Sequence, residues 1–197
     1  MTEKQIQFTL ASLLMMLFVT CDNQNKQKSD LNKAYTTKTG KTFLISEAHP
    51  LGQSLSTIKI RSEGFEYNLD ETLEDLDPIS NVYLSDLDGN GYEEIYLVVV
   101  SAGSGSYGNV IGFASNKDKS LSMINFPEIV EGDEGFNGYM GHDVFAIENG
   151  KLTRTFPIFK KGDTNQDPSN GNQKVYYGLY QGEAMWQLKI EKSEILK

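Results

Sequence analysis

From Thr42 to the C-terminus the chain is a succession of short β-branched and aromatic runs, cut by turns rich in glycine and asparagine. No long amphipathic helical pattern interrupts it. Thr57-Ile58-Lys59-Ile60-Arg61 and Trp186-Gln187-Leu188-Lys189-Ile190-Glu191 alternate polar and apolar, so each should have one face on a core and one in water. Further strands are expected over 42–46, 81–85, 94–100, 110–115, 121–126, 143–148, 151–159 and 174–179. Asn149-Gly150 accepts the positive φ values of a type I′ turn and predicts a β-hairpin, and Asp88-Gly89-Asn90-Gly91 turns the chain in a similar way. The one weak helix candidate is Asp70 to Leu76 ahead of Pro78, whose charges make it a surface turn. About ten strands on short connections predict an all-β, antiparallel β-sandwich, with a closed antiparallel barrel as the alternative.

The first twenty residues stand apart from this pattern. An uncharged run from Phe8 to Thr20 follows Lys4 and ends at Cys21, after which the chain becomes polar at once, Asp22-Asn23-Gln24-Asn25-Lys26. Thirteen residues are short for a membrane span and suit the core of an export signal. Leu17-Phe18-Val19-Thr20-Cys21 resembles the lipobox of bacterial lipoproteins, whose cysteine is lipidated and becomes the mature N-terminus. Phe18 and Thr20 depart from its commonest form, leaving a plain secretory signal as the second reading. Residues 1–20 are therefore expected to be a lipoprotein-type signal peptide, 21–38 a polar tether, and 39–197 a single β-rich domain. The expected location is the cell envelope, by lipid anchorage in the outer membrane or facing the periplasm. Cys21 is the only cysteine, so neither a disulfide nor a thiolate metal site is available.

Acidic residues outnumber basic ones 27 to 18, a net charge of −9. Glu3 and Lys4 cancel, so removal of the signal leaves that figure unchanged. This balance argues against a nucleic-acid partner, which needs a basic face, and suits docking on a cationic protein.

Between the apolar runs Ile95–Val100 and Val110–Phe113 lies Ser101-Ala102-Gly103-Ser104-Gly105-Ser106-Tyr107-Gly108-Asn109. Two buried strands would hold this loop at both ends. What it offers a partner is the Ser104 hydroxyl and the Tyr107 ring with its phenol.

Two other constellations could carry chemistry. In Asp86-Leu87-Asp88-Gly89-Asn90-Gly91-Tyr92-Glu93-Glu94, Asp86, Asp88 and Asn90 fit the first, third and fifth positions of a Ca²⁺ loop and Glu94 the ninth. The twelfth is Leu97, so no bidentate glutamate closes the loop, and a glycine-rich hairpin turn is the plainer reading. His142-Asp143 could pair a base with a carboxylate, but adjacent strand residues face opposite ways and no Gly-x-Ser-x-Gly elbow is present. A structural or surface histidine is expected. The polar stretches 131–135 and 161–168 read as solvated connections that could rim a binding surface.

Ser104-Gly105-Ser106-Tyr107 resembles the Ser-Gly-x-Tyr loop of bacterial periplasmic inhibitors of invertebrate-type (i-type) lysozymes. Its setting is similar too: the Asp86 to Gly91 turn, a strand, the loop, then Val110-Ile111-Gly112-Phe113-Ala114-Ser115. Gly138-Tyr139-Met140-Gly141-His142-Asp143 and Gly182-Glu183-Ala184-Met185-Trp186 extend the likeness, which spans roughly Ser54 to Ile190. The resemblance implies a β-sandwich, often homodimeric, that is not an enzyme and needs no cofactor. It implies that the loop enters the lysozyme cleft, Ser104 donating to a catalytic carboxylate and Tyr107 filling a sugar subsite.

Three other functions compete. A Ca²⁺-dependent envelope or glycan-binding lipoprotein would use the Asp86–Glu94 turn and stack sugars on Tyr139, Tyr176 and Tyr177. A hydrolase would use His142, and a purely structural lipoprotein would leave the loop inert.

Overall fold

The computed structural model describes residues 28–196 apart from 51, 131 and 134. Among them are twelve strands and no helix: β1 (Lys28–Thr36), β2 (Thr42–His49), β3 (Ser56–Glu63), β4 (Asp70–Leu76), β5 (Ile79–Ser85), β6 (Glu94–Val100), β7 (Gly108–Ser115), β8 (Leu121–Asn125), β9 (Val144–Glu148), β10 (Lys151–Pro157), β11 (Asn172–Gln181) and β12 (Trp186–Leu196). They form a four-stranded sheet, β1-β2-β3-β4, and an eight-stranded sheet, β5-β6-β7-β8-β12-β11-β10-β9. Every pairing is antiparallel except β12 with β8. The expected signal peptide, residues 1–20, and Cys21 lie outside the described residues.

The larger sheet curls almost into a barrel. Its inner face contributes Tyr96, Val98, Val110, Ile124, Phe145 and Leu152, with residues from β11 and β12, to one core. Its two edge strands meet through the Tyr83 phenol, which donates to the Phe145 carbonyl at 2.8 Å. The smaller sheet packs on the outer face, where Phe43, Ile45, Ile58 and Ile60 close over Ile95, Leu97, Val99 and Phe113. The all-β expectation holds, with features of both sandwich and barrel. β6 lies at the centre of this arrangement: alternate side chains enter alternate cores, so Glu94 through Val99 are all buried.

Two segments differ from the sequence reading. Lys28–Thr36, assigned by composition to a tether, forms β1 and pairs with β2, because Leu31 and Tyr35, four residues apart, reach the same face and pack on the second core. A tether can thus extend only over residues before Lys28. Asp70–Leu76 is a strand instead of a helical turn. Two residues, Glu74 and Asp75, oppose Thr57 alone between the pairs Ile58↔Leu73 and Ser56↔Leu76, and Asp75 has φ +56°. This bulge brings Leu73 and Leu76 to one face despite their helix-like spacing of three, while Asp70, Glu71 and Glu74 line the exposed edge.

The expected hairpin at Asn149-Gly150 is present, with φ +49° and +72° between β9 and β10. In β12 the predicted alternation stops early. Leu188 is buried but Ile190 is 44% exposed, because β8 accompanies β12 only at Trp186 and Gln187 and a bulge at Glu191 of β12 shifts the register beyond.

Candidate functional site

β6 ends at Val100 and β7 begins at Gly108, so the intervening loop rises from two strands paired through Val99↔Asn109 and Val100↔Gly108. Its neck is closed by Ser101 N–H donating to the Tyr107 carbonyl at 2.9 Å and Tyr107 N–H donating to Ser101 Oγ at 2.9 Å. The loop is not the free projection that its glycines suggest. Ser106 N–H turns back to the Gly103 carbonyl, and Ser106 is held at φ +43°, a conformation few non-glycine residues adopt.

A second segment, residues 138–143, braces the loop from the side. His142 N–H donates to the Gly105 carbonyl at 2.5 Å and Asp143 N–H to the Ser106 carbonyl at 3.3 Å. This approach requires glycine at 141: φ is +85°, and a Cβ there would come within 2.1 Å of the Gly105 oxygen. A third support comes from the 160–169 connection, where Asn165 Nδ2 donates to the Ser104 carbonyl at 2.8 Å while Asn165 Oδ1 lies 2.9 Å from His142 Nε2.

Beneath the loop is a buried ion pair. Arg154 of β10 grips Asp143 through Nε to Oδ1 and Nη2 to Oδ2, both at 2.7 Å. Asp143 Oδ2 also accepts from Gly108 N–H at 2.7 Å and from the Tyr139 phenol at 2.6 Å. The guanidinium reaches the Gly108 carbonyl and is walled by the rings of Phe126, Phe136, Tyr139 and Phe145, centroids 5.0–5.9 Å away. Burial disfavours the Arg154 charge, but the Asp143 hydrogen bonds and charge more than offset it, and the Arg154 pKa is raised. Burial first, and the bond to Asp143 second, raise the Tyr139 phenol far above its ordinary value, so it stays a donor.

Above this base, Tyr107 is 49% exposed and meets Tyr139 edge to face at 5.7 Å. Ser104 is exposed. Among the described residues nothing pairs with the Ser104 hydroxyl or the Tyr107 phenol. Gly105 is needed for proximity and not for φ, since its Cβ would press into the Tyr107 ring at 2.4 Å. Hollows of about 420 Å³ beside Ser104 and His142 and about 400 Å³ beside Tyr107 and Arg154 flank the loop.

The structure thus gathers Ser104, Gly105, Ser106 and Tyr107 into one presented unit. It separates the imagined His142-Asp143 pair: the carboxylate faces Arg154, while the imidazole faces Asn165 and stacks on Phe159 at 5.8 Å. Tyr177, a candidate sugar platform, is 1% exposed and belongs to the core. Arg154 and Asn165 carry no signal in the sequence as loop supports; only the glycines at 138 and 141 hint at a close backbone approach.

The acidic turn is at the other end of β6. Asp86 accepts from Asn90 and Gly91 N–H, and Asp88 accepts from Asn90 N–H and from its side-chain amide. Asn90 Oδ1 takes Tyr92 N–H at 2.8 Å, so Asn90 shapes the turn. Glu94 is fully buried, and Oε2 accepts from Leu87 N–H at 3.0 Å and from the Tyr96 phenol at 3.2 Å. Burial, with the charges of Asp88 and Asp86, pushes its carboxyl up to about 8.

Comparison with protein-family models, with curated proteins and with solved structures returns no match.

Proposed function

We propose that this protein is an inhibitor of lysozyme, with an i-type lysozyme as its target, and that it acts by inserting Ser104-Gly105-Ser106-Tyr107 into the catalytic cleft. The observation that carries the reading is the pairing of a braced backbone with unpartnered side-chain hydroxyls. The carbonyls of Ser104, Gly105 and Ser106 are all engaged by neighbouring segments, while the Ser104 hydroxyl and Tyr107 phenol are left to solvent. A glycosidase cleft presents two carboxylates, and free hydroxyl donors can satisfy such acceptors without offering a bond to cleave. Tyr107 adds a large contact area with few rotors to freeze, and the rigid loop reduces the ordering cost of binding.

The net charge of −9 favours approach to a cationic lysozyme. In this reading Cys21 carries the lipid anchor, placing the inhibitor in the cell envelope where lysozyme arrives from outside. The resemblance of the loop and its flanking strands to i-type lysozyme inhibitors gives the target class.

The test is a cell-wall lysis assay with the chain from residue 22 onward titrated against i-type, c-type and g-type lysozymes, wild type beside Ser104→Ala and Tyr107→Ala. Wild type should inhibit one class, and each variant should weaken inhibition about tenfold or more, the loss expected of an interface anchor. No inhibition of any class, or unchanged constants in both variants, overturns the proposal.

A further inference from the structure

The turn between β5 and β6 gathers a second cluster of side chains, away from the loop. One oxygen from each of Asp86, Asp88 and Glu94 lies within 4.8 Å of the other two. Asp86 and Asp88 alone would mean little, because acidic turns commonly fold their carboxylates onto backbone N–H groups, as both do here. Glu94 is the independent observation. Its side chain is wholly buried, and Oε1 has no hydrogen-bond partner while Oε2 has two. A buried carboxyl oxygen left without a partner is costly, and Lys38, whose charge is felt by Asp86, is engaged by Glu93 at 3.0 Å.

We propose that Asp86, Asp88 and Glu94 bind a Ca²⁺ ion, with Glu94 Oε1 as the buried ligand and the two aspartates completing the protein's share from the turn. The donor set is entirely oxygen, which selects a hard cation over zinc or copper. Three carboxylates on a short, tightly hydrogen-bonded turn suit the irregular geometry of Ca²⁺ better than the strict octahedron of Mg²⁺, with water filling the remaining positions. Each aspartate oxygen keeps a lone pair beyond its N–H contact, so binding does not require the turn to open. The spacing Asp-x-Asp-x-Asn-Gly-x-x-Glu gains a physical meaning here: Asn90 and Gly91 orient Asp86 and Asp88, and Glu94 reaches back from the first position of β6.

The ion would fasten the start of β6 to the end of β5. Six residue steps separate Glu94 from Val100, about 20 Å along the strand, so the ion has no contact with the Ser104–Tyr107 loop. Its role is stability of the domain, and lysozyme inhibition should proceed in a chelator.

The purified protein, stripped with EDTA and dialysed, is titrated with CaCl₂ by calorimetry and melted with and without the ion. One Ca²⁺ per chain is expected, with affinity in the range of about 10⁻⁴–10⁻³ M found for extracellular modules, weaker binding of MgCl₂, and a Tm that climbs with Ca²⁺ concentration. Glu94→Gln and Asp88→Asn should each lower the affinity about tenfold or more and abolish the Ca²⁺-dependent rise in Tm. Asp88 is partly exposed, so its variant carries the test if Glu94→Gln does not fold. No heat and no change in Tm at about 10 mM Ca²⁺, some tenfold above the weakest expected constant, overturns the proposal, as does unchanged affinity in the folded variants. Equal affinity for Mg²⁺ overturns the choice of Ca²⁺.

Discussion

The Asp143 carboxylate accepts the backbone N–H of Gly108 at 2.7 Å, tying the residue ahead of β9 to the residue where the presented loop re-enters β7. The same carboxylate is held by Arg154, so the loop's footing is an ion pair with 0% and 3% of its two side chains exposed. Loop geometry and domain stability therefore have a common base.

Replacing Arg154 with alanine leaves Asp143 as a buried, uncompensated charge. The expected loss is about 3–5 kcal/mol of stability in urea denaturation, and Arg154→Lys should recover only part of it because an ammonium cannot make the two-pronged contact. A loss below about 1 kcal/mol for Arg154→Ala would mean that the pair is not the anchor described.

Gly141→Ala puts a methyl group against the Gly105 carbonyl at a φ of +85°. The backbone there must move, and both hydrogen bonds from His142 and Asp143 to the loop should lengthen. The expected outcome is a cost of about 1–3 kcal/mol and inhibition weakened together with it. Amide spectra of residues 101–108 would show whether the perturbation reaches the loop.

Asn165→Ala removes the donor to the Ser104 carbonyl from a half-buried position. Stability should change by less than about 1 kcal/mol, whereas faster hydrogen exchange in the loop and several-fold weaker inhibition are expected. Wild-type exchange rates in this variant would show that residues 160–169 do not brace the loop.

Asp163 accepts from the backbone N–H groups of Lys160 and Ser169 and from the Ser169 hydroxyl at 2.8–3.0 Å, and these bonds hold its carboxyl below the ordinary range, Lys160 contributing most. A depressed folded-state value stabilises above the unfolded pKa, and that contribution is lost as pH falls through the folded one. Residues 160–169 should therefore stay ordered at neutral pH and loosen in acid, with Asp163→Asn loosened throughout, as read by amide exchange against pH.

If charge steers the encounter with a cationic lysozyme, the association rate measured by stopped flow should fall as NaCl rises from about 0.05 to 0.5 M, with little change in dissociation. Equal association rates across that range would remove charge from the account.

All ten strands expected from alternation and β-branched runs are present, because those signals report burial on a pleated surface directly. The two missed strands are edge strands whose burial is carried by sparse residues, Leu31 and Tyr35 in β1 and Leu73 and Leu76 in β4, diluted among charges and, in β4, shifted by a bulge. The presented loop was legible because its composition differs sharply from the strands around it. Its supports were not: Arg154 reads as an outward-facing strand arginine, and Asn165 as one polar residue in a polar connection. Their roles arise from contacts 46 and 61 residues away along the chain.

β6 is clad on both faces, by the curled sheet's interior on one side and by β2 and β3 on the other. The domain therefore offers no independently excisable half. A fragment begun at Pro78 to isolate the loop-bearing sheet would bare Ile95, Leu97, Val99 and Phe113 along a continuous sticky seam, inviting self-association. Grafting the loop into another scaffold calls for the opposite choice: transplanting the 101–108, 138–143 and 160–169 segments together, onto a host strand already covered on both sides.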